Sequence, residues 1–328
     1  VEDLRAEIAE PSLLAIKSVV LQSRDNGWSA DFFNFGLAAR RGVDYFNPGL
    51  VERPDGLWLI ARRSKWKSGL AFGMNDLVAF LLNGKHPVRG VPIRMEQRWP
   101  DEQWEDPRAI FHNGKTYVSC CNFIWTNQGW TGAHQIISDV SMDWGSVRRY
   151  DPIYGDNGEN IGKNAHHEKN WLFWFHNGLP HMIYRGFPHT VVRFDTEFRF
   201  LKSWVTVNDT GWRYGEIRGG TPPVLVDGEY WTFFHSSTPW HRPKRQYHLG
   251  AYAFSAAPPF HLTRITEFPL LSGSPDDGGV PSKPPCIFAC GSRIVNNLWT
   301  VTCGVNDLRC LWVDIPHADI LDRTEAVC

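Results

Sequence analysis

Long apolar runs are missing from this chain. No stretch of about 18 apolar residues occurs, so the sequence offers no membrane-spanning helix. An excess of one charge is missing as well: 34 Lys and Arg stand against 35 Asp and Glu, a formal net charge of −1. A balance this even argues against a broad polyanion-binding surface, and neither nucleic acid nor membrane is an expected partner. The seven cysteines form no Cys-x-x-Cys pair, and Cys120 and Cys121 are adjacent. That pattern is no small-domain disulfide framework and no zinc site, and it predicts reduced thiols in a cytoplasmic protein. The first residues, Val1-Glu2-Asp3-Leu4-Arg5, lack the basic-then-apolar order of a secretory leader. Helical periodicity is scarce too. Leu4, Ile8, Leu13 and Leu14 predict a short helix in the first fifteen residues, broken near Pro11, and little follows it.

What the chain does have is aromatic residues, 14% of the total with 16 Trp. Platforms for sugar rings and tight packing in an all-β core both account for such a composition. It also has a recurring unit, in which an Asp/Asn-Gly turn leads into an apolar strand. Asp55-Gly56 precedes Leu57–Arg62, Asn113-Gly114 precedes Thr116–Cys120, and Asn177-Gly178 precedes His181–Arg185. Asp227-Gly228 precedes Tyr230–His235, and a weaker Asn296-Asn297 precedes Leu298–Cys303. Turns every 50 to 70 residues or so suit a four-stranded propeller blade with long connections. Five copies predict an all-β, five-bladed β-propeller over residues 31–328, with residues 1–30 as a helical or extended lead-in. A β-sandwich is the competing architecture. Loop-sized Pro- and Gly-rich stretches such as Ser272–Pro285 give no linker. Three of the repeated strands end on Arg62, Arg185 and His235, and if these strands are innermost, their ends converge on a central channel.

Several polar motifs lie between the repeats. Glu105-Asp106-Pro107-Arg108 sets two acids before a rigid turn, because proline fixes its own φ and forces its predecessor to be extended. Asp106 is the candidate proton carrier, with Arg108 as support for one of the acids; an ordinary Asp/Arg turn is the plainer account. His166-His167-Glu168 suggests a metal, but no matching ligand set accompanies it, and no metal is expected. Lys169 and Asn170 after it read as an anion and hydroxyl pair, with Trp171 as a wall. Arg218-Gly219-Gly220-Thr221-Pro222-Pro223 allows close backbone approach without being a nucleotide-binding P-loop. Tyr247 follows the basic stretch His241–Arg245, most simply exposed loop charge, and Gly304-Val305-Asn306-Asp307 ends on a carboxylate able to hold sugar hydroxyls.

In order and spacing these motifs, from Phe46-Asn47-Pro48-Gly49 to Asn306-Asp307, resemble glycoside hydrolase family 130, the inverting β-mannoside phosphorylases and their relatives. The resemblance covers about four-fifths of the chain and itself implies a five-bladed propeller. It implies that Asp106 is the general acid and that Asn47 and Arg62 line the sugar and phosphate subsites. It places Lys169, Asn170, Arg185, Arg218, His235 and Tyr247 around inorganic phosphate, and Asn47 and Asp307 around sugar; Glu105, as the structural neighbour of Asp106, and Trp171, as a wall, are sugar-site candidates by position. The chain departs from the family where Trp171-Leu172-Phe173-Trp174 replaces a Phe-Pro pair, and where no acid precedes Pro281–Cys286. Mannose specificity therefore does not follow from the resemblance.

The implied chemistry is coherent. A phosphate carrying about −1.5 to −2 charges needs several charge-assisted donors once water is excluded. As an anionic nucleophile it needs no protein base, so one carboxylate suffices, unlike the pair of an inverting hydrolase. The expectation is an inverting phosphorylase that turns a β-linked glycoside and phosphate into an α-sugar 1-phosphate, with no cofactor beyond that co-substrate. Self-association is left open. The alternatives are an inverting glycosidase with Glu168 or Glu216 as base, a transferase using a sugar nucleotide, and a non-catalytic carbohydrate-binding propeller. One conflict is built in: cations around Asp106 should lower its pKa, against the needs of an acid, unless burial beside Trp104 raises it or a sugar hydroxyl relays the proton.

Overall fold

A computed structural model of the chain describes residues 17–35, 42–65, 74–98, 102–126, 129–152, 169–207, 210–238, 245–279 and 283–327. The first fifteen residues, with their expected helix, and His166-His167-Glu168 lie outside these. The described short helix is Val19–Asp25, capped by the Ser18 hydroxyl, which accepts from the Leu21 amide.

The strands form five sheets in a β-propeller arrangement. Sheet I runs Val43–Arg53, Gly56–Lys65, Met74–Asn83, His86–Pro92, and sheet II runs Glu102–His112, Lys115–Thr126, Gly129–Val140, Ser146–Tyr150. Sheet III is Leu172–His176, Leu179–Arg185, His189–Phe194, Phe200–Thr206. Sheet V is Ile287–Val295, Leu298–Val305, Arg309–Pro316, completed by Ser29–Phe32 from the other end of the chain. These four are regular four-stranded blades. Sheet IV departs from the expected five like units, since it holds seven strands. Its first strand is split into Arg218–Gly219 and Val224–Val226, both paired with Glu229–Ser237. Between the two pieces lies Gly220-Thr221-Pro222-Pro223, where two prolines cannot donate to a ladder. Thr324–Ala326 adds a C-terminal strand at the far edge.

Every expected turn joins the first strand of a sheet to its second. Asn113-Gly114, Asn177-Gly178, Asp227-Gly228 and Asn296-Asn297 all hold both residues at positive φ, as a type I′ hairpin turn requires. The strands after these turns are therefore second in their sheets. Arg62, Arg185 and His235 accordingly stand on second strands, a correction to their placement on innermost ones.

Alternation along each strand then builds the core. In Gly56–Lys65, Trp58 and Ile60 pack on Val118 and Ile136 of sheet II, while Leu59 and Ala61 pack toward Trp312 of sheet V. Leu172 and Trp174 meet Tyr252 and Phe254 of sheet IV, and Phe173 between them meets Ile137 of sheet II. Sheets IV and V share the remaining large cluster, with Phe233 against Trp299. Both faces are buried, which is why these strands read as continuous apolar runs. Eight of the 16 tryptophans lie buried in these clusters, so much of the aromatic excess is packing between sheets. Ser29–Phe32 pairs antiparallel with Arg309–Pro316, so the expected boundary at residue 30 falls inside a strand of sheet V.

Candidate active site

The first strands of sheets I and II each carry an irregularity at the same place. The register shifts between Phe46 and Gly49, around Asn47-Pro48, and between Glu105 and Arg108, around Asp106-Pro107. Asn47 and Asp106, each before a proline, take φ of 49° and 54°; this corrects the extended conformation expected at Asp106, and the left-handed one is tolerated best by Asn and Asp among non-glycine residues. The bulges turn these side chains toward each other, and Asn47 Nδ2 donates to Asp106 Oδ1 at 2.6 Å. Both residues are buried.

Arg62 spans the two acids. One guanidinium nitrogen pairs closely with Glu105 Oε1, and the other lies 3.5 Å from Asp106 Oδ1. Its Nε donates to Asn75 Oδ1 at 3.1 Å, and Asn75 Nδ2 donates to Glu105 Oε1 at 3.2 Å. Asn75, from the third strand of sheet I, carries no motif and escapes sequence reading. Burial pushes the Asp106 carboxyl up, but Arg62, Lys169, Asn47 and Arg108 together bring it below the usual aspartate value. Burial dominates at Glu105 and, with the Asp106 charge, raises it to about 6 against the pull of Arg62. The expected conflict thus resolves one way: Trp104 does not make Asp106 a ready acid, and the raised carboxyl is its neighbour.

Arg108 supports Asp106 through its backbone and its charge, and it does more than its sequence position suggests. It is 1% exposed, and it donates to the carbonyls of Gly220 at 2.6 Å, Gly219 at 2.9 Å and Asp106 at 3.0 Å, and to Asn170 Oδ1 at 3.3 Å. It ties sheets II, III and IV together around the Asp106 backbone and forms no ion pair with either acid. The glycines of Arg218-Gly219-Gly220 fit this: a Cβ at Gly219 would lie 2.1 Å from the Asn170 carbonyl oxygen. The close approach is between strands.

A cavity of about 610 Å³ opens between sheets III and IV, lined by Lys169, Asn170, Arg185, Arg218 and Arg245 among others. Lys169 and Arg185 form no ion pair with any described residue, while Arg218 pairs with Glu216 at 2.8 Å. Glu216, one candidate hydrolytic base, is thereby bound to a cation. Trp171 lines the cavity but is only 3% exposed, its ring packed against Tyr184, so it is chiefly a core residue. His235 is in ladder register with Arg218 and fully buried; burial first, then Arg108, Arg218 and Lys169, holds it neutral with a pKa well below the ordinary value. Its Nδ1 is buried with no hydrogen-bond partner among the described residues, and neither His235 nor Tyr247 is among the residues that line the cavity. Tyr247 accepts from Arg245 at 3.2 Å, and Arg245 thus belongs with this group and was missed as mere loop charge; the residues before it, 241–244, lie outside the described set. Asp307 stands at the margin, φ 53°, paired with Lys283 at 2.8 Å. Among the described residues no group of three or more His, Cys, Asp or Glu is arranged to hold a metal ion.

No protein-family model matches the chain, and no curated protein matches it by sequence. Solved structures do match it in fold. The β-1,2-mannobiose phosphorylase of Listeria innocua superposes with a TM-score of 0.65 over 87% of this chain and 94% of its own, at 13% identity. MPT-4, a mannose phosphorylase from Leishmania mexicana in complex with phosphate ion, covers 94% and 96% at TM-score 0.60 and 13% identity. MPT-1 of the same organism, a GDP-Man-dependent mannosyltransferase, covers 92% and 95% at TM-score 0.57 and 14% identity. Phosphorylases and hydrolases of glycoside hydrolase family 130 are among the structural neighbours. The chain shares its fold with these proteins, at sequence distances that leave its chemistry to be read from its own side chains.

Proposed function

We propose that the protein is a glycoside phosphorylase of the family 130 type, with the seven-stranded sheet IV serving as the fifth blade of its propeller. The observation that carries this reading is the adjacency of one ionised, buried carboxylate to an anion-seeking cavity. Lys169 lines that cavity and also acts electrostatically on Asp106. Asp106, oriented by Asn47, moves the proton, and Glu105 with Arg62 and Asp307 frames the sugar. Lys169, Asn170, Arg185, Arg218, His235 and Tyr247 hold phosphate. A neutral His235, in ladder register with Arg218, would support the phosphate site from behind that arginine without adding charge. Phosphate attacks the anomeric carbon opposite the leaving oxygen and the glycosidic C–O bond breaks; the leaving oxygen takes up a proton that Asp106 binds from solvent once the phosphate charge offsets its cations, directly or through a sugar hydroxyl. The product is a sugar 1-phosphate of inverted configuration.

The wealth of cations supports phosphorolysis over hydrolysis, because water as nucleophile has no use for them. The test is a panel of α-sugar 1-phosphates and acceptor sugars, α-mannose 1-phosphate included, with phosphate release measured. Phosphate release that depends on the acceptor is the expected result. Release of free sugar from β-linked glycosides at equal rates with and without phosphate would overturn the reading.

A further inference from the structure

Arg62 has two carboxylates within reach, and the structure gives it mainly to one. One guanidinium nitrogen pairs closely with Glu105 Oε1, while the other stands 3.5 Å from Asp106 Oδ1. The Phe46 ring lies against the guanidinium, its centroid 4.6 Å from Cζ, and leaves it free to slide chiefly in its own plane, from one acid toward the other. An amide stops that slide. Asn75 Oδ1 accepts from Arg62 Nε at 3.1 Å, and Asn75 Nδ2 donates at 3.2 Å to the same Glu105 oxygen that Arg62 holds.

Asn75 is itself fixed from behind. Gln103 Oε1 accepts from both the backbone amide and Nδ2 of Asn75, each at 3.0 Å, and Gln103 Nε2 donates to the Met74 sulfur at 3.6 Å. Both amides are buried. Gln103 and Glu105 stand two residues apart on the strand Glu102–His112, so sheet II offers Asn75 an acceptor and an acid side by side.

The consequence falls on Asp106. A guanidinium that slid fully onto it would hold it as a carboxylate, because an opposite charge in contact favours the ionised form. Asp106 already faces Lys169 and Arg108 as well as Arg62. Glu105 faces Arg62 and Lys169 on one side of the balance and Asp106 and Asp307 on the other. The neighbouring thiols of Cys120, Cys121, Cys286 and Cys290 are pushed up by burial and stay neutral.

We propose that Asn75 is a positioning residue: its amide keeps Arg62 on Glu105 and off Asp106, so that Asp106 can take up the proton it passes on. The effect on turnover rests on the phosphorylase reading, whereas the effect on Glu105 stands on the geometry alone.

Asn75→Leu, close in volume and without either hydrogen bond, tests this in the intact protein; should it not fold, Asn75→Ala serves. With a sugar 1-phosphate and acceptor that wild type turns over, kcat should fall about tenfold, the worth of one unit of Asp106 acidity, with KM for the sugar 1-phosphate changed by no more than about twofold. Asn75→Asp keeps the acceptor for Arg62 and should restore kcat to within about twofold of wild type. In a Glu105→Gln background Arg62 has already lost its anion, and Asn75→Leu should cost no more than about twofold. A wild-type kcat in Asn75→Leu, or an equal loss in both backgrounds, would overturn the proposal. A second readout needs no turnover. Without Asn75 the Glu105 carboxyl loses a donor and its cation and rises further above about 6, so the stability it contributes below about pH 4.5 persists to higher pH than in wild type. Urea melts across pH measure this, and an unmoved window would also overturn the proposal. A moved window with no phosphate-dependent turnover by wild type would overturn the phosphorylase reading and leave the hold of Asn75 on Arg62 standing.

Discussion

Replacing Arg108 with methionine should cost more than any surface charge in the molecule. The guanidinium is buried and makes four hydrogen bonds, to the carbonyls of Asp106, Gly219 and Gly220 and to Asn170. Methionine fills much of the stem's volume but leaves those acceptors unpaired. Each orphaned buried group costs about 1–3 kcal/mol, and the guanidinium's own desolvation, no longer suffered, offsets part of the sum. Broken buried charged clusters settle near 3–5 kcal/mol, a large share of a typical stability of about 5–15 kcal/mol. Urea denaturation followed by tryptophan fluorescence measures it. Arg148→Met is the control: Arg148 pairs with Glu197 on the surface and should lose no more than about 1 kcal/mol. If Arg108→Met were within about 1 kcal/mol of wild type, the clamp across sheets II, III and IV would not hold, and the account of how Asp106 is fixed would fall with it.

Asp106→Asn keeps the shape and removes the proton carrier; turnover of sugar 1-phosphate should drop by at least about 10²-fold, and near-normal turnover would remove Asp106 from the chemistry. Gly304→Ala tests positioning from a distance. Its Cβ would fall 1.7 Å from Asn47 Oδ1, so Asn47 must move off Asp106, and kcat should fall by about 10²-fold with little change in phosphate affinity. Wild-type kcat would mean Asn47 does not orient the acid. Glu105, raised to about 6 in the folded protein, binds its proton more tightly there than in the unfolded chain. The stability this contributes is present below about pH 4.5 and is lost as pH rises through about 6, a change of about 2 kcal/mol. Urea melts of wild type and Glu105→Gln across that window should diverge by this amount; parallel profiles would show that Glu105 titrates normally.

The repeats were readable because each hairpin turn needs left-handed residues, and Asn-Gly or Asp-Gly writes that need into the sequence. The strands were readable because both faces are buried. Their rank within the sheets was not, since an inner and a second strand in a propeller are equally apolar; only the pairing put Arg62, Arg185 and His235 second. Ser29–Phe32 closes sheet V from the far end of the chain, and four residues have no periodicity to betray such a partner. Among the motif residues, Asn47, Arg62, Glu105 and Asp106 meet, and Lys169 both lines the cavity and acts electrostatically on Asp106. Arg108 does support Asp106, through its backbone carbonyl, but the motif could not show its other acceptors, among them two carbonyls more than a hundred residues away. Arg245 sat in a basic run whose plain account, solvated charge, is the usual one. Trp171 was read as a sugar wall, yet packing between sheets claims most of its ring.

The electrostatics of the two acids bear on how a phosphorylase could use an ionised Asp106. Arg62 and Lys169 lower its carboxyl. In the proposed site a phosphate dianion beside Lys169 would offset part of that lysine's pull, so the Asp106 pKa should rise as phosphate binds. Linkage makes the effect reciprocal: a proton on Asp106 tightens phosphate binding by the same factor. Glu105, already raised and in contact with Arg62, acts in the same direction, because its negative charge near Asp106 disfavours a second one. The carboxylate that is a poor acid alone thus becomes a better one when its nucleophile is in place. On this account the cations that conflict with an acid in the resting protein are the reason the acid answers to phosphate.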